Sequence, residues 1–185
     1  MSIRRALLLT VTLMGATAFA QQAARPPLGT TPAAASLPVV EFAFEARVTL
    51  APAVVLGETA IGRRQYIPIT GGSVAGPKFK GEVIPGGWDY QLASSGSCGS
   101  LSADYFLRAA DGTVIHVLNQ GLTCPGSAAG TPPTYLRPQF EAPKGTHEWM
   151  THATFVATLE PERSSATPGS PAKLEAVRIK FYQVR

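Results

Sequence analysis

The chain has 185 residues, 45% of them hydrophobic, with sixteen Lys and Arg against twelve Asp and Glu, a formal net charge of +4. Arg4 and Arg5 belong to a leader expected to be removed, which takes the charge to +2 and leaves dispersed basic residues, Lys78 and Lys80 being the nearest to a pair. With no basic run or basic helix to track phosphates, nucleic acid is a poor candidate partner.

Arg4 and Arg5 precede an apolar run from Ala6 through Leu13 and Met14, and small residues lead to Ala18-Phe19-Ala20 ahead of Gln21. A basic start, a short apolar core and an A-x-A site predict a secretory signal peptide over 1–20, cut after Ala20. The competing reading is a retained signal anchor, but the run falls short of the ~20 residues that span a bilayer. No lipobox cysteine follows. The expected address is therefore periplasmic or secreted, without stable membrane insertion after cleavage. Residues 21–38, rich in Ala, Pro, Gln and Thr, bury too little apolar surface to offset chain entropy and read as a flexible leader. The segment 161–171 has the same character and reads as a loop. Residues 39–185 fit one domain of ordinary size.

The pattern of that domain is β. From 41 to 50, Phe42, Phe44, Ala46, Val48 and Leu50 alternate with Glu41, Ala43, Glu45, Arg47 and Thr49. This is the two-residue period of a strand with one dry face. Phe79, Gly81 and Val83 alternate with Lys78, Lys80 and Glu82, and Val177, Ile179 and Phe181 with Arg178 and Lys180. Gly71-Gly72, Gly76-Pro77 and Pro85-Gly86-Gly87 punctuate the runs where a helix would break. Short strands with such turns predict an all-β domain, a closed barrel or a sandwich.

Asp111-Gly112 suits a two-residue type I′ hairpin turn, since Gly accepts positive φ. Pairing Ala110 with Thr113 sets Leu107 opposite His116, Tyr105 opposite Leu118 and Asp104 opposite Asn119. Carried outward, that register brings Cys98 within one residue of the position facing Cys124. In an oxidising compartment two cysteines so placed predict a disulfide, with free thiols or a redox pair as the rival readings.

Three blocks carry a resemblance. The first runs Ile61-Gly62-Arg63-Arg64-Gln65-Tyr66-Ile67-Pro68-Ile69-Thr70-Gly71-Gly72 and on through Gly81-Glu82-Val83-Ile84-Pro85-Gly86-Gly87-Trp88-Asp89-Tyr90-Gln91. The second is Tyr105-Phe106-Leu107-Arg108-Ala109-Ala110-Asp111-Gly112 with Ile115-His116-Val117-Leu118-Asn119-Gln120-Gly121. The third comprises Tyr135-Leu136-Arg137, Phe140-Glu141, Trp149-Met150 and Phe181-Tyr182-Gln183-Val184. Together they resemble the bacterial domain-of-unknown-function family 3237 (DUF 3237) across nearly the whole domain. The resemblance implies a single, mainly antiparallel β-barrel, lipocalin-like in general architecture, and little about chemistry. The chain departs from the family's usual Trp-Leu-Asn at Trp149-Met150-Thr151, and its 94–100 loop carries Cys98 in place of a common Asp-Gly turn.

Asp89 stands between Trp88 and Tyr90 after a Pro-Gly-Gly turn. A carboxylate among aromatics can have its pKa raised by desolvation and act as general acid or base; the plainer reading is a turn residue bonding backbone amides. Arg64 and Arg137 present forked donors suited to a ligand oxygen, or equally to an ion pair with Glu82, Glu141 or Asp89. Asn119 has a cross-strand bond to Asp104 as its default role. Trp88 and Trp149 are core filling or pocket wall. The ligand-binding candidates are therefore Arg64, Trp88, Asn119, Arg137, Glu141 and Trp149, with Asp89 the catalytic candidate. His116 reads as a half-buried strand residue on the face of Tyr105, Leu107 and Leu118. His147 and His152, five apart, point to opposite strand faces, so no metal site is expected. The paired glycines lack the strand-to-helix setting of a phosphate loop, no serine sits in a G-x-S-x-G elbow, and no cofactor is expected.

Three functions fit these residues. One is an exported barrel binding a small, partly apolar molecule. Another is a cofactor-independent lyase, isomerase or cyclase using Asp89 as acid or base. The third is a structural envelope protein without ligand. Composition and motifs leave the oligomeric state open.

Overall fold

The computed structural model describes residue 29 and residues 37–93, 98–124, 134–165 and 172–185. The expected signal peptide and nearly all of the leader lie outside them. The unit Pro38–Arg185 is built from β1 (Val40–Leu50), β2 (Val54–Thr59), β3 (Gly62–Ala75), β4 (Gly81–Ala93), β5 (Gly99–Ala109), β6 (Val114–Thr123), β7 (Thr134–Glu141), a one-turn helix α1 (Trp149–His152), β8 (Thr154–Arg163) and β9 (Leu174–Val184). All pairings are antiparallel, in the order β1-β9-β8-β7-β6-β5-β4-β3-β2, and β1 also pairs with β3. That last pairing closes an eight-stranded barrel and leaves β2 outside it, hydrogen-bonded to β3 alone. Closure removes the open edges that a flat sheet of this size would expose.

Period two carries the interior. In β5, Leu101, Ala103, Tyr105, Leu107 and Ala109 are buried, and in β6 Ile115, Val117 and Asn119 face them. The alternation predicted for β9 holds at Ile179 and Phe181. In β1 it breaks. Phe42 is 39% exposed while Ala43 and Phe44 are both fully buried, because the register with β9 slips between Phe42 and Phe44. A β-bulge sets two β1 residues against one partner and turns Phe42 outward, where its ring meets Tyr182 edge-on at 5.8 Å.

The hairpin register also differs from expectation by one residue. Ala110, Asp111 and Gly112 form a three-residue loop closed by Ala109 N–H to Thr113 O (2.8 Å) and Gly112 N–H to Ala109 O (2.9 Å). Gly112 has φ 88°, the left-handed residue of a G1-bulge turn. Two bonds favour this longer loop: Thr113 N–H to Asp111 Oδ1 (3.0 Å) and Ala110 N–H to Lys80 O (3.1 Å). Phe106 therefore faces His116, Tyr105 faces Val117, Asp104 faces Leu118 and Ala103 faces Asn119. A slip of one exchanges the two faces of a strand. His116 consequently lies outside, bonded to Asp104 at 2.8 Å, and not on the face of Tyr105 and Leu107. Asn119 points inward and makes no bond to Asp104. The same slip brings Cys98 and Cys124 together, and they form a disulfide.

One end of the barrel is filled. Phe44 stacks on Phe181 with centroids 4.6 Å apart, Phe140 and Phe155 pack edge-to-face at 4.9 Å, and Phe79 completes the group. α1 caps this end with Met150, fully buried, and Trp149 against Phe155 at 5.8 Å. Thr151, where the family resemblance calls for Asn, accepts a hydrogen bond from Ala142 N–H at 2.9 Å. At the other end β8 continues to Arg163, so Pro161, Glu162 and Arg163 belong to the barrel wall and not to a loop; residues 166–171 lie outside the described residues.

Candidate functional site

The unfilled end holds a cavity of about 340 Å³ inside the barrel, at the small end of the roughly 300–1,000 Å³ usual for ligand pockets. Most of its wall is aliphatic. β1 and β3 contribute Val48, Leu50, Ile67 and Ile69, while β8 and β9 contribute Leu159 and Ile179. The polar side chains cluster on β4, β5 and β6, where Asp89, Gln91, Tyr105 and Asn119 converge. Thr123, Cys124, Thr134 and Arg163 line it at the strand ends, so the disulfide sits at the mouth.

Strand geometry places each group. Asp89 and Gln91 are two apart and share the inner face of β4, opposite Ile67 and Gln65 of β3. Tyr105 enters the barrel where β4 bends at Pro85-Gly86-Gly87, and a Cβ on Gly87 would stand 2.5 Å from that of Tyr105. Glycine at this position is what lets β4 pass over the tyrosine. β3 bends at the same level, and a Cβ on Gly72 would meet the Arg47 carbonyl at 1.9 Å.

The amides form a directional chain. Gln65 Nε2 donates to Gln91 Oε1 (2.7 Å), and Gln91 Nε2 donates to Asp89 Oδ2 (2.7 Å). One carboxylate oxygen is thereby held. The other, Asp89 Oδ1, is buried without a partner; the Tyr105 hydroxyl and the Asn119 amide lie beside each other but outside hydrogen-bonding geometry, so they too are unpartnered. Buried polar atoms are nearly always paired, because each unpaired group costs about 1–3 kcal/mol of lost hydration. The three residues that carry these four atoms all line the one largely apolar cavity, which concentrates unsatisfied polar groups on a single wall of it.

Burial pushes the Asp89 carboxyl up to about 6, against the opposing pull of the Gln91 amide and the Ser102 backbone. Asp89 can therefore hold or release a proton near neutral pH, as a general acid or base requires. Burial likewise drives the Tyr105 hydroxyl well above its ordinary value, eased by the Asn119 amide beside it and reinforced by the Asp89 charge. Tyr105 stays a neutral donor.

Of the residues predicted from sequence, the structure brings Asp89 and Asn119 into this cavity and leaves the others out of it. Trp88, next to Asp89, lies on the outer face, 44% exposed and edge-on to Tyr90 at 5.8 Å. Arg64 alternates with inward-facing Gln65 and sits half-buried on the outside. Arg137 is exposed opposite Gln120, and Glu141 is exposed 3.7 Å from His116. Trp149 belongs to the filled end. Gln91, Tyr105 and Arg163 were not singled out. The two-residue period from Asp89 points to Gln91, the register slip conceals that Asn119 shares the inner face with Tyr105, and a Pro- and Ser-rich sequence disguises Arg163 as loop.

Residues 38–184 match the family described as "Protein of unknown function (DUF3237)". The chain belongs to it. Among DUF3237 relatives, a UPF0311 protein of Clostridium acetobutylicum is 34% identical over 158 residues, covering 78% of this chain and 92% of its own. A crystal structure of a protein of unknown function from Clostridium acetobutylicum superposes with a TM-score of 0.65 at 32% identity, covering 80% of this chain and 99% of that one. A third relative, named "Hydroalkoxylation enzyme phnH", comes from Penicillium herquei. It is 30% identical over 123 residues, 65% of this chain and 74% of its own.

Proposed function

We propose that this DUF3237 barrel binds a small, largely apolar molecule, burying its body among the aliphatic walls and its polar head at Asp89, Tyr105 and Asn119. The observation that carries this reading is that Asp89, Tyr105 and Asn119, which hold four unpartnered polar atoms, all line one largely apolar cavity. Tyr105 and the Asn119 amide donate, whereas Asp89 Oδ1 and the Asn119 carbonyl accept. A neutral head that both donates and accepts, such as a hydroxyl, satisfies them. An anionic head meets a carboxylate.

A second reading, supported by the pKa of Asp89 and the name of the Penicillium herquei relative, is that the bound molecule reacts. Hydroalkoxylation adds an O–H bond across a C=C bond. Here the protonated Asp89 would give its proton to one alkene carbon while the substrate hydroxyl oxygen bonds the other. The hydroxyl proton would return to the carboxylate, so the cyclic ether is an isomer of the alkenol. Tyr105 and Asn119 would hold the reacting oxygen.

Export is part of the same proposal. The Cys98–Cys124 disulfide is compatible with an oxidising compartment, and the sequence that would direct export lies outside the described residues.

Native mass spectrometry of protein purified from an oxidising compartment, followed by calorimetric titration with decanol, tests binding. A small-molecule adduct, or saturable heat that weakens in Asn119→Leu, supports it; an empty barrel that gives no heat overturns it. For turnover, an alkenol is incubated in D2O. One deuterium on carbon in the cyclic ether, lost in Asp89→Asn while binding persists, is the expected result. No ether with any alkenol that binds counts against the second reading alone.

A further inference from the structure

The mouth of the barrel differs in charge from its depth. Among the described residues the inner polar wall carries one carboxylate, Asp89, and no cation. At the mouth Arg163 lines the cavity itself. Arg63 stands in an adjoining groove that shares Gln91 and Thr123 with the cavity, and Lys173 in another that shares Leu50 and Leu174. Two carboxylates are near. Glu175 is in the Lys173 groove, and Glu58 faces Arg63 across the β2–β3 pair. Among the described residues neither makes an ion pair with Arg63, Arg163 or Lys173, in contrast to the outer wall of β8 and β9. There Glu162 is bonded to Arg47 and Arg178, and Glu160 to Lys180.

Resting on the reading that the cavity holds a small molecule, we propose that its natural ligand is two-ended: a neutral, hydroxyl-like head at Asp89, Tyr105 and Asn119, and an anionic outer group, such as a carboxylate, at Arg163. Strand spacing sets the scale of the span. From Asn119 to Thr123 is four residues, about 13 Å along the strand and about 10 Å of depth once a barrel tilt of roughly 40° is allowed for, with Leu101 and Leu136 among the side chains lining the cavity. That matches an unbranched chain of moderate length. The orientation follows from electrostatics. Reversing the ligand would desolvate its anion beside the Asp89 carboxylate, with no cation to balance it, and leave Arg163 facing a hydroxyl. Arg163 is thus a specificity-determining residue, acting on which molecules enter and which way round they lie.

Calorimetry with decanol, decanoate and ω-hydroxydecanoate tests this at low and high salt. The expected result is that ω-hydroxydecanoate binds roughly three- to fivefold more tightly than decanol at low salt, the gain of a partly exposed ion pair. That ratio should fall to about one in Arg163→Gln and in high salt, where screening is strong. Decanoate, lacking the inner hydroxyl, should bind more weakly than ω-hydroxydecanoate. Equal binding of decanol and ω-hydroxydecanoate by the unaltered protein overturns the proposal and leaves the cavity reading standing. A ratio unchanged in Arg163→Gln and in high salt also overturns it. Failure of all three probes to bind removes the cavity reading and this proposal together.

Discussion

The two ends of this barrel use the same strands and the same alternation to opposite effect. At the filled end, inward positions are Phe44, Phe79, Phe140, Phe155 and Phe181, whose rings interlock at centroid distances of 4.6 to 5.9 Å. At the open end, the corresponding positions are Val, Ile, Leu and Ala, too small to meet across the lumen, with unpaired polar groups among them. One end is optimised for stability and the other gives stability up. The filled end has an unpaired atom too, His147 Nδ1 beside Phe79, so the signal at the open end is the gathering of four on three residues that line one cavity.

The sharpest contrast in stability comes from truncation at the filled end. Phe181→Ala, which empties the stack on Phe44, should cost about 3–5 kcal/mol in denaturant unfolding and leave the polar wall intact. Reducing the Cys98–Cys124 bridge, or replacing both cysteines with serine, should cost roughly 3 kcal/mol through the freed chain between them, read as a lower unfolding midpoint.

Asp89→Asn should act in the opposite direction above pH 6. The folded state holds this proton up to about pH 6, whereas an unfolded aspartate releases it near 3.8. Between those values the folded chain binds more protons, so stability falls as pH rises and is lowest above pH 6. The asparagine variant, unable to ionise, should be more stable there by at most about 3 kcal/mol, with the gain disappearing below pH 4. A wild-type profile that stays flat between pH 4 and 6 would break the contrast between the two ends.

Asn119→Leu should be neutral or stabilising by about 1 kcal/mol while weakening decanol binding, because it removes two unpaired atoms at similar volume. The smallest effect is expected on the outer wall. The Arg47 guanidinium beside Glu162, helped by Arg178, holds its carboxyl below the usual range. That contribution is lost as pH falls through its lowered value, and Glu162→Gln should shift the midpoint slightly and only at low salt.

Much of the fold was legible in the chain. Alternation in β1 and β9, the glycine pairs and the Asp-Gly turn report local backbone preferences, enough for an all-β domain, barrel or sandwich, with its cysteines together; the family resemblance is what points to the barrel. The site was less legible. Asp89 was found because a carboxylate between aromatics is unusual in any strand. Asn119, a ligand candidate, does not make the bond to Asp104 that is its plainer reading. Arg64, Arg137, Trp88 and Glu141 are residue types that suit ligands, yet strand parity turns them outward, and parity depends on where each bulge falls.

The sequence by itself determined the β class and the position of several strands, though not β2 or the end of β8, since hydrophobic periodicity and turn chemistry act over neighbouring residues. Only the tertiary structure decided which way each strand faces. The bulge at Ala43, the three-residue loop before Thr113 and the bends at Gly72 and Gly87 depend on bonds and close approaches between segments far apart in the chain. Those contacts select one parity over the other. With it they decide that Tyr105, Asn119 and Asp89 meet inside the barrel while Trp88 and His116 look out.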